Sequence, residues 1–162
     1  MVTAGERLLL TLWVGALWSV GYLAVPVLFA ELDDRMLAGM LAGHMFTIVA
    51  WLGLVVGALL AIGELVRSRV RPGWRFWVLI LMLALVAAGH FGLQPAMAAL
   101  KVNGLPEGSA EAAQFTRLHG TASVLYLLTS LAGLALVAGA CREEKRLQRR
   151  DAEGARPQRM SR

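Results

Sequence analysis

Cysteine is almost absent from this chain. Cys141 is the single one in 162 residues, so no internal disulfide and no cysteine-based metal site can form. Histidine is nearly as scarce. His44, His90 and His119 are the only three, and none pair as His-x-x-x-His, the spacing that puts two ligands on one helix face. No metal site is therefore expected. Charged residues make up 17% of the chain and are missing from long stretches. No carboxylate accompanies the histidines, which weakens a hard-metal site or a proton relay. A polar segment large enough for a soluble domain is lacking as well. The largest pieces outside the apolar runs are Lys101–Leu118 and the tail 142–162. Nothing names catalytic residues, and nothing gives ground to expect an enzyme.

What is present is apolar sequence. Hydrophobic residues reach 57%, against roughly 45–50% in soluble domains. They gather in four runs, Leu8–Phe29, Leu37–Ile62, Phe76–Leu100 and His119–Cys141. Each approaches or exceeds the roughly 20 residues that a helix needs to cross about 30 Å of hydrocarbon. Helices are required, because lone strands leave their backbone groups unsatisfied in lipid. The short breaks force antiparallel neighbours. The fold class is therefore an all-α membrane protein, an up-down four-helix transmembrane bundle over residues 1–141, followed by a basic, partly disordered tail over 142–162. Leu8–Phe29 is too long for a signal peptide and reads as a retained first span.

Positive charge sets the expected orientation. Arg7, the break with Arg67, Arg69, Arg71 and Arg75, and the tail hold 13 of the 16 Lys and Arg residues. The other two breaks hold Arg35, Lys101 and Arg117. Both termini are thus expected in the cytoplasm, an N-in/C-in arrangement in a bacterial inner membrane. The formal charge of +5 follows from this bias and needs no nucleic-acid partner. The expected partners are the bilayer itself, anionic lipids at the cytoplasmic face, and a second copy or another membrane protein.

Small residues recur four apart, as such packing requires. Gly39/Gly43 and Gly53/Gly57 do so on span two, and Ala132/Leu136/Ala140 more weakly on span four. Ala84, Ala88, Gly92 and Ala96 form the longest row and are expected to make a close contact inside the bundle.

Polar side chains within spans are functional candidates. They gather toward one end: Tyr22, His44, His90, Gln94, His119, Ser123 and Tyr126. Pro26 and Pro95 join them, since a proline leaves the carbonyl four residues back without its donor. These are the carbonyls of Tyr22 and Phe91. A polar pocket in the outer half is expected, able to bind or move a small molecule or ion. Asp34, Arg35 and Arg117 lie in the outer loops above it. A structural cluster of polar groups explains the same residues. No cofactor is expected. The alternative is a haem- or quinone-linked redox protein, with haem b held by His44 and His90. A third reading is an accessory subunit of a larger complex.

Three stretches carry a family likeness: Gly21-Tyr22-Leu23-Ala24-Val25-Pro26-Val27-Leu28-Phe29, Ala38-Gly39-Met40-Leu41-Ala42-Gly43-His44-Met45-Phe46 and Arg117-Leu118-His119-Gly120-Thr121-Ala122-Ser123. Together they resemble the transmembrane protein 205-like domain family, also catalogued as a domain of unknown function. The likeness spans about residues 5–140. It implies a four-span membrane protein with no established reaction. It marks Tyr22, Pro26, Arg35, Gly39, Gly43, Phe46, His119 and Ser123 as motif positions, and His44 lies outside them.

Overall fold

The computed structural model describes residues 4–67, 72–102, 106 and 108–154. Among them, four helices are long and apolar enough to cross a membrane: Ala4–Glu31, Arg35–Arg67, Trp74–Lys101 and Ala110–Arg142. We call them spans one to four. No strand occurs among the described residues. The protein is an all-α four-helix membrane bundle. Each span packs on its sequence neighbours, and span one closes the ring against span four. One end of the bundle, the terminal end, carries the chain's start and the end of span two. The other, the hairpin end, carries the turn after span one and the start of span four.

Asp34 starts span two. Its side chain accepts from the amides of Met36 and Leu37 at 2.8 and 3.1 Å. It thereby satisfies two of the orphan donors of a helix N-terminus. Ser109 does the same for span four, accepting from Ala112 at 3.0 Å. Gly108 before it has a φ of 79°, a left-handed turn that favours glycine. This cap starts the helix at Ala110, well ahead of the apolar run that begins at His119. The same helix continues without a break to Gly154. The early part of the polar tail is therefore helical. Pro157 and Ser161 lie outside the described residues, as do Arg69 and Arg71.

The core is built on Trp13, which is fully buried. Its indole lies directly on Gly53 and Gly57 of span two. A Cβ on Gly53 would meet the ring at Cε2 within 2.9 Å, and one on Gly57 would meet Cη2 at 2.9 Å. Glycine is required at both places by this close approach. Leu79, Met82 and Leu136 complete the cluster from spans three and four. Gly133 faces Val14 and Met82 in the same way, and Gly139 lies against Trp74. The weak-looking row on span four is thus internal, with Leu136 and Ala140 buried.

The longest row is not. Ala84, Ala88, Gly92 and Ala96 are all exposed, and a Cβ on Gly92 would meet nothing within 4 Å. The expected internal contact is corrected. Span three instead turns Leu79 and Met82 inward. In lipid, Leu, Met and Ala are all compatible with either side. Packing volume around Trp13 therefore decides the rotation, and the small-residue count does not.

Two ion pairs tie the terminal end. Arg67 pairs with Glu6, joining spans two and one. Arg75 approaches Glu64 at 3.2 Å, joining spans three and two. A small cavity lies beneath them, lined by Glu6, Leu10, Leu60, Glu64, Arg75, Leu79 and Leu136. Glu64 was the sole polar residue expected on that side, so its partner Arg75 and the Glu6–Arg67 pair extend the sequence reading.

Candidate functional site

Two of the four spans are not regular helices. Span one passes through a π turn at Val20–Ala24, and span three through another at Ala88–Leu93. Each lies just before a proline, Pro26 or Pro95. The amide of Val25 bonds back five residues to the Val20 carbonyl. The amide of Gln94 does the same to Gly89. The next residue in each case is proline, which has no N–H. After it the α-pattern resumes. The carbonyls of Gly21 and Tyr22 are therefore left sharing Pro26 as a donor, and those of His90 and Phe91 sharing Pro95. Proline alone predicts one orphan carbonyl per span. The π turn makes it two.

The opening in span one is occupied by the protein. Tyr126 of span four donates its hydroxyl to the Leu17 carbonyl at 2.5 Å. The same phenol faces the Gly21 backbone. A Cβ at Gly21 would overlap the ring, coming within 2.8 Å of Cζ. The hydroxyl thus enters the backbone ladder of span one, one of the recognised causes of an irregular helix. Phe46 packs edge-on against Tyr126 with centroids 5.2 Å apart, and Tyr22 lies 6.1 Å away. Trp18 stacks against Tyr22 at 4.9 Å. Three spans meet in this aromatic layer.

The opening in span three has different neighbours. Gln94 reaches across to span two, donating to Thr47 Oγ1 at 2.9 Å and to the Gly43 carbonyl at 3.3 Å. Thr47 also donates to the Gly43 carbonyl, at 2.9 Å. His90 sits edge-on to Trp51 at 5.7 Å and to Phe91 at 4.8 Å. Its Nδ1 is buried and has no hydrogen-bond partner among the described residues. Trp51 and Phe91 are 52% and 58% exposed, so this trio lies at the outer surface of the bundle between spans two and three.

The other candidates lie apart from this layer's interior. His44 is exposed on span two. Gly43 and Thr47 point toward Gln94, and His44 is about 100° further round the helix. His119 is exposed and stacks on Phe115 with an interplanar angle of 11°. Ser123 is exposed and donates to the His119 carbonyl of its own helix at 2.9 Å. Pro26, Arg35 and Arg117 are exposed, and Asp34 serves as the helix cap described above. Two larger features lie elsewhere: the small cavity at the terminal end, and an apolar groove of about 310 Å³ lined by Thr11, Val14, Gly15, Trp18, Leu134 and Val137. Among the described residues no three His, Cys, Asp or Glu side chains gather as a metal-binding group.

Thr47 and the π turns are the parts that sequence reasoning missed. A usable signal existed for the turns. Each has glycine inside it and a proline two residues beyond its end, Gly21 with Pro26 and Gly92 with Pro95.

A family described as a domain of unknown function, DUF4149, matches residues 8–105, more than half of the chain. The chain belongs to the DUF4149 family. The match covers spans one to three, so both π turns of this DUF4149 protein lie within the family's region. Tyr126, His119 and Ser123 lie beyond it. The match does not carry the transmembrane protein 205-like description. No curated protein and no solved structure matches.

Proposed function

We propose that this DUF4149 protein is a multi-pass protein of the bacterial inner membrane that binds a small molecule in the hairpin-end half of its bundle. The observation that carries the reading is the pair of π turns, each followed by proline. Each leaves two carbonyls without a helical donor at a depth where water is scarce. π turns of this kind recur at functional sites. His90, Gln94, Tyr22 and Tyr126 gather around them. The transmembrane protein 205-like motif positions Tyr22 and Pro26 fall in or beside the first turn.

A second reading has its own support. The exposed Ala84/Ala88/Gly92/Ala96 row would let another helix approach span three closely. That favours an accessory subunit or a second copy. Native mass spectrometry of the protein, released from membrane discs that retain native lipid, separates the two. A small-molecule adduct on wild type that is lost in His90→Phe is the expected result. A protein partner with no such adduct would replace the first reading with the second.

The orientation is part of the proposal. Arg7, Arg67, Arg75 and the basic helix after Arg142 all belong to the terminal end, which places that end in the cytoplasm. A cysteine at position 70 should be shielded from an impermeant thiol reagent added outside the cell, and one at position 103 should react. The reverse labelling would invert the bundle.

A further inference from the structure

The two π turns offer an internal comparison. They share the same backbone design, the same following proline and an aromatic ring from a neighbouring span. In span one that ring is Tyr126, and it brings a hydroxyl that bonds the backbone within 2.5 Å. In span three the ring is Trp51, which touches His90 and Phe91 by ring edges only. Among the described residues no side-chain hydroxyl is hydrogen-bonded to the Ala88–Leu93 turn. What the protein supplies to the first turn, it leaves to be supplied at the second.

The chemistry of the missing group follows. The His90 and Phe91 carbonyls accept only, and His90 Nδ1 has no partner. The complement must therefore donate an O–H. It must also be flat and apolar enough to lie on Trp51 and Phe91, whose rings stand 6.0 Å apart and are half exposed. His90 lies about 16 Å along the axis from Lys101 at the hairpin end. The ligand therefore reaches it through hydrocarbon.

We infer that the Trp51–His90–Phe91 face of span three binds the hydroquinone headgroup of a lipid-soluble quinol, its phenolic O–H taking the place that Tyr126 fills in span one. This rests on the binding function proposed above and names the ligand class. A fully methylated ring of the same shape has no donor and would not complete the turn. Binding alone is inferred, with no electron transfer.

The test uses the full chain in lipid nanodiscs and decylubiquinol as probe, kept reduced. Its dimethyl ether serves as the donor-free control. Tryptophan fluorescence quenching is read for wild type, His90→Phe and Trp51→Phe. His90→Phe keeps the ring and removes both nitrogens. A saturable component in wild type is expected. It should disappear in Trp51→Phe, weaken at least tenfold in His90→Phe and be absent with the ether. Identical curves for all three proteins would mean partition into bilayer and overturn the inference. Equal binding of the ether would overturn it too, because the donor would then be irrelevant. Should quinol fail while a His90-dependent adduct of another mass persists, the quinol assignment falls and the binding function stands. Loss of both removes the function as well.

Discussion

Trp13→Ala is expected to lower the unfolding free energy in detergent by about 3 kcal/mol. Large-to-small changes in cores cost about 3–5 kcal/mol for tryptophan, of which part is transfer out of water. That part shrinks when the unfolded helices stay in an apolar phase, and the packing part remains. Trp13 is fully buried and meets two glycines, Leu83 and the Leu79–Met82 cluster. No neighbour can close the gap, because Gly53 and Gly57 have no side chains to move into it. Trp51→Ala, at a half-exposed site, should cost under about 1 kcal/mol. Denaturation of both variants in mixed micelles, followed by helicity, is the measurement. Equal losses would show that Trp13 is not the keystone of the bundle.

Gly21→Ala should cost about 2 kcal/mol, through overpacking. The added methyl would occupy the place of the Tyr126 ring. The phenol must then leave the backbone of span one, and the Leu17 carbonyl loses its partner. Tyr126→Phe alone removes the hydroxyl bond and should cost about 0.6–1.7 kcal/mol, the span measured for interhelical bonds in lipid. Tyr126→Ala opens room for the methyl. The double variant Gly21→Ala/Tyr126→Ala should therefore be more stable than the sum of the two single losses allows, a coupling of about 1 kcal/mol or more. Strict additivity in a thermal-stability cycle would mean that ring and glycine do not meet.

The four spans were legible because hydrophobic length is a strong signal. So were the prolines and the polar residues near one end. The facing of each helix was not. In water, an apolar stripe marks the buried side, but lipid is as apolar as the core, so the stripe carries little information. The Ala84/Ala88/Gly92/Ala96 row and the Gly53/Gly57 row look alike as text. One is exposed and the other lies under Trp13. The same ambiguity hid the site. His44 and Thr47 are both polar residues on span two, yet Thr47 is the one that meets Gln94. The π turns escaped because a single extra residue in a helix leaves the composition unchanged. Only the closeness of Gly21 to Pro26, and of Gly92 to Pro95, betrays them.

Span four is one uninterrupted helix from Ala110 to Gly154, and Tyr126 anchors it to span one. Such a rod acts as a lever with its pivot in the membrane. Gly154 lies about 42 Å beyond Tyr126 along the axis. A tilt of about 5° at the pivot would then carry the far tip roughly 4 Å. Any event that loosens the phenol from span one would thus be reported, enlarged, at the charged end of the helix.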